Sequence, residues 1–304
     1  MSIDTAIDLG ESDVDDIDLD DTPLARASLA AIEMRSGELT MPRPRHRRVF
    51  SVANQKGGVG KTTTTVNIGV ALARAGLHVL VLDLDPQGNA STALGVERQV
   101  GTPSVYDVLL GHITPAAAIQ TSPEAPRLGC IPATIDLAGA EIELVPLPER
   151  ELRLRRAIES IDTYYDYILV DCPPSLGLLT VNAMSAVDEV LIPIQCEYYA
   201  LEGLGQLLRN IGMVQEHLNT RLVVSTILLT MYDGRTKLAE QVATEVRNHF
   251  GDLVLRTTIP RSVKVSEAPG FGQSVMTYDP GSRGAMCYLD AAREIADRGT
   301  KEQA

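Results

Sequence analysis

The sequence predicts an α/β fold, a mainly parallel twisted β-sheet covered by helices on both faces. Three observations predict it. From Arg48 onward, short continuous apolar runs alternate with segments of helical period. The apolar runs show no in–out alternation, as expected of strands buried on both sides. Two of them, "LHVLVLDLD" and "YDYILVDCPP", end in acids, and a third, "RVFSVANQ", runs into a glycine-rich loop. Functional groups of such sheets gather at the carboxyl ends of the strands, where these acids and glycines sit.

The elements follow in order. Residues 1–40 hold eleven Asp and Glu against Arg26 and Arg35, a net charge of −9. "IDTAIDLGESDVDDIDLDD" has no aromatic residue and too little apolar surface to bury, so it is expected to be disordered. Within residues 22–39 a short helix is expected, with Thr22 as N-cap and Pro23 at the first helical position. It reads either as a docking segment for a partner, such as a polar or scaffold protein, or as a tail with nascent helicity. "MPRPRHRR", residues 41–48, adds four arginines and reads as a linker, or else as a basic arm for DNA or lipid.

The folded domain is expected over 48–298, with a tail over 299–304. After the first strand and the glycine loop, a helix is expected from Lys61 to Ala75. Strand "LHVLVLDLD", helix "PSVYDVLLG", strand "RLGCIPAT" and helix "LPERELRLRRAIES" follow. Then come strands "YDYILVDCPP" and "DEVLIPIQC", helix "LEGLGQLLRNIGMVQEHL", strand "RLVVSTILLT", helix "KLAEQVATEVRNHF" and strand "LVLRTTIP". "RGAMCYLDAAREIADRG" closes the chain as a helix.

Bulk properties narrow the function. With 304 residues and 44% hydrophobic content, the chain can bury one large core or two small ones. No apolar run reaches the ~18 residues of a membrane span, and the acidic start is unlike a secretory signal. The four cysteines lie scattered, without a C-x-x-C pair, and read as free thiols in a reducing cytoplasm. The net charge is −13, so contact with nucleic acid must be a local basic patch.

The loop "QKGGVGKTTTT" meets the second half of the phosphate-loop pattern G-x-x-x-x-G-K-[ST] with Gly60, Lys61 and Thr62. It departs from the first half, because Gln55 stands at the first glycine and the glycines have moved to Gly57 and Gly58. A helix starting near Gly60 offers free N–H groups and a positive dipole end to phosphate. Lys61 can reach the β- and γ-phosphates, and the Thr62 hydroxyl can ligate Mg²⁺. Asp171, ending a hydrophobic strand, suits a water-mediated Mg²⁺ contact. Asp83 and Asp85 end the strand before "PQGN"; each can position an attacking water or bind metal, or cap a helix or loop.

"KGGVGKTT", "DLDPQGNAST", "ILVDCPPSLGLLT" and "IPRSVKVSEAPGFG" together resemble the ParA/Soj chromosome- and plasmid-partitioning ATPases, in order from Arg48 to about Asp297. The resemblance implies a P-loop NTPase fold, ATP and Mg²⁺ as ligands, and a homodimer sandwiching two ATP molecules. It implies that Lys56 crosses to the partner's phosphates while Lys61 holds the chain's own nucleotide. The ATP site would comprise Lys56, Gly57, Gly58, Val59, Gly60, Lys61, Thr62 and Thr63, with Pro260 by the adenine. Asp85 would be required for hydrolysis, and Gly57 would stay small where the subunits meet. Ser262 stands where the family often has Asn, and serine lacks the amide's paired donor and acceptor.

The resemblance further implies ATP-dependent, non-specific binding of double-stranded DNA, through Arg235 and Arg261 with Lys237 and Lys264 as helpers. A ParB-type centromere-binding protein would stimulate an otherwise slow hydrolysis, and the protein would be cytoplasmic and nucleoid-associated. The alternative is a MinD-like membrane-associated positioning ATPase. That reading needs a basic amphipathic C-terminal helix, whereas "AAREIADRGTKEQA" is mixed in charge.

Overall fold

The computed structural model describes residues 39–162, 164–198 and 200–301. The acidic segment and all but the last residue of the expected 22–39 helix lie outside the described residues.

The elements in chain order are β1 (Arg48–Val52), α1 (Lys61–Arg74), β2 (Val79–Asp83), α2 (Asn89–Ala93), α3 (Val105–Leu110), α4 (Pro115–Ala118), β3 (Gln120–Thr121), β4 (Leu128–Ile131), α5 (Leu137–Glu143) and α6 (Arg153–Glu159). They continue with β5 (Tyr167–Asp171), α7 (Leu178–Ala186), β6 (Glu189–Gln195), α8 (Ala200–His217), β7 (Val223–Tyr232), α9 (Lys237–Phe250), β8 (Val254–Pro260), α10 (Val263–Glu267), α11 (Val275–Tyr278) and α12 (Arg283–Gly299).

One eight-stranded sheet runs β3-β4-β2-β5-β1-β6-β7-β8. Every pairing is parallel except that of the two-residue edge strand β3 with β4. Strands β1, β2, β4 and β5 are buried along their whole length, which explains their unbroken apolar runs. Two hydrophobic clusters cover the two faces. One joins Leu80, Ile168, Ile192 and Leu229 to α3, α6, α7, α8 and α9. The other joins Phe50, Val81, Leu169 and Leu228 to α1 and α12.

The closing helix α12 is amphipathic, and Ala285, Tyr288, Leu289, Ala292 and Ile295 bury its apolar face against α1 and β8. That face is therefore covered by the sheet layer. Among the described residues no helix is long and apolar enough to cross a membrane.

At the amino end of the sheet, Arg48 is buried and bidentate to Glu189, with Nε to Oε1 at 2.7 Å and Nη2 to Oε2 at 2.5 Å. Its Nη1 donates to the Ile295 carbonyl at 2.7 Å, so one side chain ties β1 to β6 and α12. The segment expected as a linker is partly seated on the fold. Leu39 and Met41 are buried in the α1–α12 cluster, and the Arg45 N–H donates to the Gly299 carbonyl at 3.1 Å. Sequence could not show this, because two isolated apolar residues ahead of the arginine run have no period to read.

The central register positions the site. Val52 pairs with Asp171 across β1 and β5, and Asp171 pairs with Asp83 across β5 and β2. Three carboxyl ends thus lie side by side, with the glycine loop rising from the middle of the sheet.

Candidate nucleotide site at the carboxyl edge

The loop from Asn54 to Gly60 leaves β1 and enters α1 without a side-chain N-cap. Gly60 occupies that position at φ 90°, and Gly58 lies at φ 74°, a region that L side chains avoid. The first-turn N–H groups of α1 therefore stay available to an anion. Val59 is buried and anchors the loop, and its carbonyl accepts from the Thr230 hydroxyl at 2.8 Å. A Cβ on Gly57 would meet nothing within 4 Å, so the chain's own packing does not require glycine there.

The two lysines diverge. Lys61 is buried and turns into its own loop, where Nζ donates to the Lys56 carbonyl at 3.3 Å. Burial lowers its pKa, and Asp171 is the largest influence in the opposite direction. Lys56 points outward along the sheet edge to Glu197, with Nζ and Oε2 2.6 Å apart.

Asp171 is wholly buried. Its Oδ1 accepts from the Thr65 hydroxyl at 3.0 Å, whereas Oδ2 has no hydrogen-bond partner. Burial first, then the charge of Asp83, push its pKa up; the nearby Thr62 and Thr65 hydroxyls oppose the shift. Asp83 is engaged differently. Its Oδ2 accepts from the Ser91 N–H at 2.8 Å and the Ser91 hydroxyl at 2.6 Å, and its Oδ1 accepts from the Asp85 N–H at 3.2 Å. Of the open readings for Asp83, the structure supports the capping one, for it fixes the first turn of α2. Asp85 accepts from the Gln87 N–H at 3.0 Å and lies mostly buried beside the loop.

An unpartnered buried carboxylate oxygen beside a threonine hydroxyl is a hard-oxygen donor set, which suits Mg²⁺. Among the described residues no cluster of three or more His, Cys, Asp or Glu forms a ready-made metal cage.

Beside the loop opens a cleft of about 480 Å³, lined by Gly60, Thr63, Pro260, Ser262, Val265 and Tyr288 among others. The expected base-binding residues Pro260 and Ser262 thus adjoin the phosphate loop. Ser262 stands at the N-terminus of α10 and makes no side-chain capping bond.

The candidate DNA residues divide. Tyr232 and Pro260 are paired in register, and the Arg261 N–H donates to the Tyr232 carbonyl at 3.4 Å. This brings Arg261 near the Asp233–Arg235 turn. Arg235 is highly exposed and bidentate to Asp233, with Nε–Oδ1 at 2.9 Å and Nη2–Oδ2 at 2.8 Å. Hydrogen bonds from Arg235, aided by the charge of Arg261, lower the Asp233 pKa to about 2. Lys237 is exposed at the start of α9. Lys264 sits apart on α10, 3.4 Å from Glu267 and over the Tyr278 ring.

Residues 47–224 match the AAA domain family. The chain is 54% identical to the sporulation initiation inhibitor protein Soj of Bacillus subtilis, across 83% of this chain and 99% of that protein. The chain belongs to the Soj/ParA family of chromosome-partitioning ATPases. The chromosome partitioning protein ParA of Caulobacter vibrioides is another member, 52% identical over 84% of this chain and 97% of its own length. Among solved structures, cobyrinic acid a,c-diamide synthase from Mycobacterium smegmatis, with bound ATP analog and magnesium, is 41% identical. It superposes with a TM-score of 0.70 over 83% of this chain and 93% of its own. The cell division ATPase MinD of Pyrococcus furiosus gives 0.69 at 28% identity, covering 83% of this chain and 100% of that one.

Several residues around the loop escaped sequence reasoning. Thr65 was one more threonine in "KTTTT", and only the helical spacing from Lys61 marked it as facing the strand ends. Thr230 and Glu197 reach the loop from separate strand ends, Asn54 ties the loop's base to Pro193, and no local pattern announces these contacts.

Proposed function

We propose that this Soj/ParA-family chain is an ATP-dependent DNA-segregation switch. The loop amides of residues 57–61 and the Lys61 ammonium hold the ATP phosphates of the same chain. Thr62, with Asp171 through water, holds Mg²⁺, and Asp85 is a further ligand candidate. Bound Mg²⁺ neutralises phosphate oxygens and so favours phosphoryl transfer. Asp85 orients the attacking water. Lys56 of one subunit approaches the phosphates of the other, where a cation stabilises developing charge. It acts as a point charge, without the bidentate geometry of an arginine finger.

What supports this reading is the divergence of the two lysines. Lys61 faces its own loop, while Lys56 lies at the exposed rim beside glycines whose neighbourhood is open. ATP then joins two subunits and hydrolysis separates them. The joined form carries two copies of Arg235, Arg261, Lys237 and Lys264, which makes sequence-independent DNA binding depend on ATP. A ParB-type protein stimulates hydrolysis and releases the dimer locally, and the acidic segment ahead of Leu39 is the docking segment for a polar or scaffold partner. The protein works in the cytoplasm on the nucleoid.

DNA binding in ADP, ATP and a slowly hydrolysed ATP analogue tests the reading. Binding is expected only with ATP or the analogue, and it should fall steeply as salt rises. Arg235→Glu should lose DNA while still dimerising. Equal binding in ADP and ATP would contradict the switch.

A further inference from the structure

Two lysines whose positions differ by five flank the same short loop, yet only Lys61 turns its ammonium into it. Lys56 sits beside Gly57 and Gly58, where added side chains would meet nothing, so its loop does little to restrain it. A bound polyphosphate would draw both ammonium groups, because attraction between charges at this range is strong and undirected. Something must hold Lys56 away from its own site.

The structure offers one such group. Glu197, in the turn after β6, lies 2.6 Å from the Lys56 Nζ through Oε2, and its Oε1 accepts from the Gln195 side-chain amide. Both carboxylate oxygens are therefore engaged. Asn54 joins the same two segments from below. Its Oδ1 accepts from the Lys56 N–H at 3.0 Å, and its Nδ2 donates to the Pro193 carbonyl at 2.8 Å. The base of the loop and the tip of Lys56 are thus both tied to the end of β6. An ammonium has three donors, so Lys56 can keep Glu197 and still offer N–H groups to phosphate.

We infer that Glu197 is a positioning residue that aims Lys56 away from its own nucleotide and presents it to a second copy of this chain. This rests on the reading of Lys56 as a trans-acting lysine. Glu197 touches no reacting atom; it acts through Lys56. The pair is half-exposed, with side chains 42% and 46% accessible, so its worth is modest. An exposed ion pair changes an equilibrium by up to about five-fold. A symmetric dimer uses the contact twice, so the effect on dimerisation is about the square of the effect on one site.

The test compares wild type, Glu197→Gln, Lys56→Ala and the double variant with Mg-ATP, Mg-ADP and a slowly hydrolysed analogue. Dimerisation is measured by sedimentation velocity, and nucleotide affinity is measured at dilutions where the chain is monomeric. Glu197→Gln should weaken analogue-dependent dimerisation about ten-fold and tighten monomer binding of ATP over ADP about three-fold, as the freed Lys56 turns to its own phosphates. Neither change should appear when Lys56 is already alanine, and Glu197→Asp should restore part of the dimerisation. Unchanged ADP affinity and melting temperature report an intact fold. The inference is overturned if Glu197→Gln dimerises as tightly as wild type, or if its effect persists in the Lys56→Ala background. If Lys56→Ala alone dimerises and hydrolyses ATP normally, the trans-lysine reading falls and takes this inference with it.

Discussion

Asp171 is buried with one oxygen unpartnered and a second carboxylate, Asp83, in the paired position on the next strand. Its folded-state pKa rises from 3.8 to about 8. The sign follows from linkage. Between these values the folded chain holds a proton that the unfolded chain has lost, so stability falls as pH rises through that window. Asp171→Asn should therefore raise the melting temperature of the nucleotide-free protein by roughly 3–6 °C at pH 8 and by under about 1 °C at pH 4. The same variant should lose the extra stabilisation that Mg²⁺ adds to ATP. Equal gains at both pH values would show that ionisation of Asp171 is not the cause. Arg48 is the opposite case, a buried charge held bidentate by the buried Glu189 carboxylate and bonded to the Ile295 carbonyl. Arg48→Met leaves Glu189 uncompensated and should cost about 3–5 kcal/mol in urea unfolding. A loss below about 1 kcal/mol would mean that Glu189 finds water.

The elements that sequence made legible are those with a period or a signature. Buried parallel strands have unbroken apolar runs, and α8, α9 and α12 carry amphipathic stripes. The glycine loop announced itself by spacing, although its left-handed turns at Gly58 and Gly60 needed coordinates. Helix α7 did not appear in the sequence reading. "LLTVNAMSA" buries residues around its whole circumference, so it has no apolar stripe to detect. Leu39 and Met41 were hidden for the reason given above, and they make the segment before β1 part of the fold. Met41→Ala should destabilise the protein by roughly 2–4 kcal/mol, against near zero for a true linker residue. Within the loop, Gly57→Ala should leave the melting temperature of the monomer unchanged, because its surroundings are open, and should weaken ATP-dependent dimerisation. Gly60→Ala should cost about 1 kcal/mol or more in the monomer itself, since its φ is positive. A reversed order would mean that the open space at Gly57 is not where a second subunit approaches.

At the scale of the whole molecule, the sheet order brings four sequence-distant motifs to one edge. The loop after β1 lies between the acid of β5 and the turn of β6, while the acids after β2 stand one strand further along. The placement of Lys61, Thr62 and Asp171 at one strand-end site was legible because each sits in a local pattern with a mechanical meaning. The residues that hold the loop and Lys56 were not, because Thr230, Asn54 and Glu197 make their bonds across strand ends that only the fold brings together. The central claim is that one active site draws on two chains, and complementation measures it directly. Lys56→Ala lacks the lysine given to the partner, and Asp85→Ala lacks the water-orienting acid of its own site. Each alone should be nearly inactive in dimerisation-dependent ATP hydrolysis. Mixed in equal amounts, half of the dimers are mixed, and each carries one complete site. The mixture should recover roughly a quarter of the wild-type rate. No recovery, with mixed dimers verified by mass, would place Lys56 at its own chain's nucleotide and contradict the account.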